Sequence, residues 1–293
     1  MNKFLIFRSD RIGDFLISAI LIKSIKINDP KSHITVIASD KNFSYIKKFP
    51  YVDEVITLKN DFINKIKIIL KLRKFDYKNI IIHDNKKRSK IISLFLKKEK
   101  NIIVDNQEIQ SHIDIIKKIL DRLNFSYDEK FLDILSFKNL KNSSNNEYIQ
   151  LHFDEKWIHN EYINKFIKIQ PNQTELINFI LNLTKKSKNK LVITTGQKSP
   201  NILREILPKI NNLNIKFFDN LTFDELQNVT LKSHTLISCH GAISHVAAAS
   251  KIKQIDIIDK SYNYSRWTKH FRNYHFIYRD NFTNLSKEIL QLI

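Results

Sequence analysis

Three short stretches carry the residue types that chemistry needs. In "SDRIGDFL" (residues 9–16), Gly13 precedes Asp14 just after an apolar run that ends at Phe7. A helical pattern begins near Asp14, so its carboxylate falls in a first helical turn, where the helix field favours negative charge. A carboxylate there serves as a general base or simply as part of a helix cap, and both readings stay open. In "SCHGAISHVAAAS" (238–250), Gly241 lies between His240 and His245. An apolar run ends at Cys239 and a helix is expected to start near Ser244 or His245. Free N–H groups at that start, with Gly241 allowing close approach, make an anion site. A nucleotide-sugar diphosphate fits it, and His245 could donate to a phosphate oxygen. The two imidazoles could instead ligate a metal. No acidic or Cys/His partner set accompanies them in the sequence, so no metal is assigned. The third stretch, "VITTGQKS", places Gly196 at the end of another apolar run.

These are all the glycines the chain has, three in 293 residues. Ordinary usage of about 7% would give roughly 20. Glycine is therefore expected where other residues fit badly, in a tight turn or at a close approach to a ligand.

The elements that position these loops follow from apolar patterning. Residues 3–7, 33–39, 52–58, 79–84 and 101–105 are short continuous apolar runs, as buried parallel strands require. Helical patterns separate them, over 14–28, 45–49, 61–75 and 86–98. "SFKNLKNSSNNEY" (136–148) is polar and Asn/Ser-rich and reads as a linker. The alternation then restarts, with strands at 148–153, 190–196, 214–219, 234–239 and 254–259. Helices are expected between them, and "NLSKEILQLI" should form a last helix. This βαβα order implies two Rossmann-like α/β domains with parallel sheets, 1–142 and 147–293. Ligands of such sheets bind at the carboxyl ends of the strands, here lining a central cleft. The last helix is allowed to pack back on the first domain.

Composition bounds the rest. An apolar content of 42% with 20 Phe builds full cores, and one cysteine excludes an internal disulfide. No window reaches the ~18–20 apolar residues of a membrane span, and no signal peptide is evident, so the chain reads as soluble and cytoplasmic. The net charge of +19 fits an anionic substrate or membrane surface, or a compositional drift toward lysine. Nucleic acid is not expected: there is no zinc-finger spacing, RNP-like run or helix-turn-helix signature.

Six segments in order resemble glycosyltransferase family 9, the ADP-heptose:lipopolysaccharide heptosyltransferases. "FRSDRIGDFLIS" is similar to that family's R-x-D-x-I-G-D start. "FPYVDEVITL" resembles its P-x-V-D-E-V segment, and "FDYKNIIIHDNKKRS" its F-D-x-x-I-D-x-x-x-x-x-R-S segment. "LHFDEKWIHNEY" resembles its strand followed by K-x-W or K-W. "LISCHGAISHVAAAS" resembles its D-x-G-x-x-H-x-A-A-A loop, and "SYNYSRW" its trailing loop with a Trp.

The resemblance implies a GT-B fold and metal-independent inverting transfer with no cofactor. The donor would be a nucleotide-sugar such as ADP-heptose. The acceptor would be an anionic lipid-linked or lipopolysaccharide-type glycan, with peripheral membrane association. It implies that Asp14 is the general base and that Arg8, Asp10, Arg11 and Gly13 serve the acceptor. Lys156 would contact the donor phosphates, Gly241, Ala242 and His245 would form the diphosphate loop, and Gly196 and His240 would lie on the donor side. Aligned on His245, His240 stands where the family has Asp and Ala242 where it has Gly. "TTGQKSPN" has no carboxylate where the family has one. The alternatives are a diverged, non-catalytic relative that binds nucleotide-sugar or glycan, and another Rossmann-type enzyme such as a nucleotide-sugar epimerase.

Overall fold

The computed structural model describes residues 1–103, 110–132, 148–158, 169, 171–188, 190–197, 199–211, 213 and 215–293. The chain divides into two compact units. The first comprises Met1–Lys141 and Ser265–His270, the second Asn142–Tyr264 and Phe271–Ile293. The expected boundary at 142–147 lies outside the described residues.

The first unit contains strands β1 (Lys3–Phe7), β2 (His33–Ala38), β3 (Glu54–Thr57), β4 (Tyr77–Ile82) and β5 (Lys98–Ile103). Its helices are α1 (Ile12–Asn28), α2 (Phe43–Ile46), α3 (Phe62–Leu72), α4 (Lys87–Leu94) and α5 (His112–Arg122). The sheet is parallel in the order β3-β2-β1-β4-β5. Leu5, Phe7, Ile80 and Ile82 pack one face against Ile68 and Leu72 of α3 and Ile92 of α4. Helix α1 is buried almost all round, from Phe15 to Ile22 without interruption. A helix that is apolar on every face belongs inside a domain.

The second unit contains β6 (Tyr148–His152), β7 (Leu191–Thr194), β8 (Ile215–Phe218), β9 (Ser233–Cys239), β10 (Lys253–Ile258) and β11 (Tyr274–Tyr278). Its helices are α6 (Gln173–Lys186), α7 (Asn201–Ile206), α8 (Phe223–Thr230), α9 (Ala242–Ala249) and α11 (Phe282–Leu292). The short helix α10 (Ser265–Thr268) belongs to the first unit. The strand order is β11-β10-β9-β6-β7-β8, again all parallel. Counted from the start of the unit this is 6-5-4-1-2-3, the dinucleotide-fold order.

Three elements lie outside those expected from the sequence: α5, α10 and β11. The spacing of Ile113, Ile116, Ile119 and Leu120 is helical and legible. Strand β11 is an edge strand with only Ile277 buried, so it lacks the continuous apolar run of an internal strand. Phe282, Leu285 and Ile289 of α11 belong to the core of the second unit, with Phe282 edge-on to Phe179 of α6 at 5.5 Å. The segment that returns to the first unit is 265–270. There Trp267 lies 4.1 Å from His112, and the Lys269 ammonium meets Asp114 at 2.8 Å.

Left-handed backbone is not what keeps the glycines. No glycine has a positive φ. The left-handed positions among the described residues belong to Asn85, Asn124, Asn220, Asn273, Lys188 and Lys251. Asparagine tolerates that region because its short side chain bonds locally. It takes over the turns that glycine usually makes.

Candidate functional site

In an open parallel sheet the strand order reverses at one point, and the loops on either side of it splay apart into a crevice. In the first unit this point lies between β1 and β4. The loops after β1, β2, β3 and β4 line a cavity of about 700 Å³ there. Six cationic side chains face it, Arg11, Lys41, Lys59, Lys86, Lys87 and Arg88, against three carboxylates, Asp10, Asp14 and Asp40. The floor is cross-braced. Ser9 Oγ and Ser89 Oγ both donate to Asp84, at 2.6 and 2.8 Å, and Arg88 donates to Ser9 Oγ at 2.9 Å. Asp84, Lys86 and Arg88 all lie in the "HDNKKRS" stretch, but the sequence pointed to no role for them individually.

Asp14 is the third residue of α1. One of its oxygens accepts from the Arg11 N–H at 3.1 Å. It therefore braces the start of the helix while facing the cavity. Asp10 and Arg11 line the same cavity; Arg8 and Gly13 do not. Arg8 is buried beneath, where Nε donates to the Asp14 carbonyl and Nη1 to the His83 carbonyl, both at 2.9 Å. It locks the β1 and β4 loops together and sets the backbone of Asp14. Burial raises the pKa of Asp10 above the ordinary carboxylate value, and the nearby Arg8 and Lys86 only partly oppose this.

In the second unit the reversal lies between β6 and β9. Lys156 follows β6, and Gly241 follows β9. Gly241 has φ −175°, an extended conformation open to any residue. What glycine leaves there is space: a Cβ would run into the Lys156 ammonium, and that long side chain would have to move aside. Gly196 is similar, since its Cβ would lie 2.8 Å from Glu155 Oε2. Both glycines make room for the turn after β6. That turn is anchored by Trp157, fully buried, whose indole N–H donates to the His152 carbonyl at 2.8 Å. Lys156 Nζ also meets Asp154 at 3.2 Å, and His152 Nε2 lies 3.5 Å from the same carboxylate. Burial alone would push Asp154 up. The Lys156 ammonium and the His152 ring outweigh it and hold the carboxyl well below the usual range.

Helix α9 begins at Ala242 rather than near Ser244 or His245. The Gly241 N–H donates to Ser244 Oγ at 3.2 Å. The donors left at the helix start are the N–H groups of Ala242 and Ile243. His240 is tethered from below: its Nδ1 meets Asp256 at 2.6 Å, and the carboxylate also accepts from Tyr274 at 3.1 Å and Ser244 at 3.1 Å. Asp256 is buried in mid-strand on β10 and reads in the sequence as an ordinary strand residue. It returns an acid to a loop whose sequence lacks one. Likewise, Thr195 beside Gly196 donates to Asp219 at 2.7 Å. His245 is buried, with its ring 5.7 Å from that of His240. Cys239 is also buried, and burial pushes its thiol up to about 12, so it is not a nucleophile. Among the described residues, no three His, Cys, Asp or Glu side chains are placed to hold a metal ion.

No protein-family model and no curated protein matches the sequence. The fold has known counterparts. The chain is similar to Escherichia coli heptosyltransferase WaaC, solved with ADP, at TM-score 0.72 and 10% identity over 99% of both chains. It is similar to E. coli ADP-heptose lps heptosyltransferase II at 0.69 and 16%, over 99% of this chain and 97% of that one. The glycosyl transferase family 9 structure from Veillonella parvula gives 0.67 and 11%, over 99% and 91%. UDP-GlcNAc 2-epimerases share the fold at lower scores, 0.59 for the Methanocaldococcus jannaschii enzyme. The chain thus has the two-domain GT-B fold, of the kind seen in family 9 glycosyltransferases.

Proposed function

We propose that this protein is an inverting, metal-independent glycosyltransferase, moving heptose or a related sugar from a nucleotide-sugar to an anionic glycan. A lipopolysaccharide-type or lipid-linked acceptor at the inner face of the cytoplasmic membrane suits it best. One observation carries the reading: Lys156 reaches across the switch point of the second unit into the space left by Gly241, beside the start of α9. An ammonium and free helix N–H groups together suit the two phosphates of a departing nucleoside diphosphate. In the first unit, the excess of cations around Asp14 suits an anionic acceptor.

In this reading Asp14 takes the proton of the acceptor hydroxyl. The hydroxyl oxygen attacks the anomeric carbon from the face opposite the diphosphate. The bond from that carbon to the phosphate oxygen breaks, and configuration inverts. Lys156 and the N–H groups of Ala242 and Ile243 take up the charge that develops on the leaving oxygen. His240, held through Nδ1 by Asp256, presents its other edge on the donor side and takes part in reading the sugar.

The engagement of Asp14 with the Arg11 N–H favours a second reading, a non-catalytic binder in which Asp14 only caps the helix. A thermal-shift series with ADP, UDP and their sugar conjugates tests the donor half, because a ligand that binds the folded state raises the apparent melting temperature. Release of free nucleoside diphosphate on adding an acceptor then separates transferase from binder. A chain stabilised by none of these nucleotides would refute both readings.

A further inference from the structure

Helices α3 and α4 cover the same face of the first sheet, with Ile68, Leu72 and Ile92 in one core with its strands. Their outer surfaces are apolar to an unusual degree. Phe62 is 74% exposed and Leu94 71%, and Ile63, Ile66, Leu70 and Ile91 are exposed with them, as is Phe95 just after α4. Soluble surfaces carry scattered apolar side chains; seven large ones on these two helices mark an interaction surface. The same helices hold Lys65, Lys67, Lys71 and Lys90, besides Lys87 and Arg88, which line the cavity, and no acidic residue. Among the described residues, Lys71 alone of these has a carboxylate partner, Glu54 at 2.7 Å.

This charge pattern selects the occupant. A second copy bound through the same face would bring two sets of unneutralised cations together, which an isologous dimer cannot avoid. A bilayer of anionic lipid accepts both features: apolar side chains enter the headgroup and acyl boundary while lysines reach the phosphates. The location agrees. Lys59 and Asn60, just before α3, and Lys87 and Arg88, which open α4, line the cavity that holds Asp14.

We propose that the outer face of α3 and α4 docks on an anionic membrane surface and brings the cavity to acceptors embedded there. The functional meaning of this docking rests on the glycosyltransferase reading, but the binding itself does not.

The test is sedimentation with vesicles of phosphatidylethanolamine and phosphatidylglycerol, against vesicles of phosphatidylcholine alone. The wild-type chain should bind the anionic vesicles and fall off as salt is raised. Phe62→Ser with Leu94→Ser should lower the binding about tenfold or more while leaving the melting temperature unchanged, since both side chains are exposed. Lys65→Gln with Lys67→Gln and Lys90→Gln should weaken binding and flatten its salt dependence. Failure of the wild-type chain to bind anionic vesicles would overturn the proposal, as would undiminished binding by the Phe62/Leu94 variant. So would a concentration-dependent dimer that the Phe62/Leu94 variant abolishes. Transfer to a soluble acceptor fragment should survive in that variant. Loss of vesicle binding with transfer intact supports docking, whereas absence of transfer in the wild type counts only against the enzymatic reading.

Discussion

The two units solve the same topological problem with different balances of charge and burial. Each places its candidate site where the strand order reverses, β1 beside β4 in one and β6 beside β9 in the other. In the first unit the cations outnumber the carboxylates around an open cavity, and Asp10, half-buried and paired with Lys86 and Arg8, is raised in pKa by its partial burial. In the second unit the cationic candidates stand on buried acids, Lys156 on Asp154 and His240 on Asp256. An open cationic cavity tolerates varied anionic groups. A paired, buried set holds two or three donors in one geometry, which suits a fixed group such as a diphosphate. On the proposed reading, the contrast corresponds to a permissive acceptor side and an exacting donor side.

The largest expected effect breaks the contrast on the first side. If Asp14 is the base, Asp14→Asn keeps the bond from the Arg11 N–H but cannot take a proton. Transfer should fall about 10²–10⁴-fold, with melting temperature and donor affinity unchanged. Asparagine is also a good helix-start residue, so near-normal turnover would leave Asp14 as a brace only.

The second prediction sets the buried Asp154 against the half-buried Asp10. Asp154→Asn leaves the Lys156 ammonium without its partner and should cost about 3 kcal/mol, read by urea unfolding at pH 7. Asp10→Asn should cost far less, because the fold already disfavours its charged form. The pH dependence has matching signs. The pKa of Asp154 is depressed on folding, so its stabilisation is complete above its unfolded pKa of about 3.9 and is lost as pH falls below that. Asp154→Asn should therefore flatten the acid limb of a stability curve. The pKa of Asp10 is raised, so it disfavours the fold at neutral pH and ceases to do so as pH falls through its folded pKa. Equal costs for the two variants would remove the distinction drawn between the units.

A third, smaller effect sharpens the donor side. Gly241→Val is free of backbone strain, but its side chain displaces the Lys156 ammonium. Donor affinity should drop about tenfold, on the order of 1.4 kcal/mol, while the fold is largely kept. Unchanged affinity for ADP- and UDP-sugars would make the Gly241–Lys156 contact structural only.

The smallest concerns the turns. Asn85, after β4, has φ 52°. Asn85→Ala should cost about 1 kcal/mol, and Asn85→Gly about half that or less. A cost for glycine as large as that for alanine would show that the asparagine side chain, not the backbone, matters there.

Much of this protein was legible in one dimension. Runs such as "KFLIF" and "NIIIHD" announce buried parallel strands because both faces of such strands are covered, and a βαβ alternation leaves few topologies open. Asp14 and Gly241 stood out because strand-to-helix loops are where such folds bind ligands, and Lys156 only through the family resemblance. Other things were decided only by tertiary packing. The edge strand β11 is half exposed and has no strong apolar signature. The return of residues 265–270 to the first unit depends on long-range contacts, the Trp267 ring on His112 and Lys269 on Asp114. The acids beneath Lys156 and His240 come from different places. Asp154 is two residues from its lysine, but Asp256 lies sixteen residues beyond His240 on a neighbouring strand, inside an ordinary apolar run. Local sequence records which backbone a segment prefers. It does not record which side chains from distant strands meet below a loop, and that meeting places the Lys156 ammonium where a side chain at Gly241 would go.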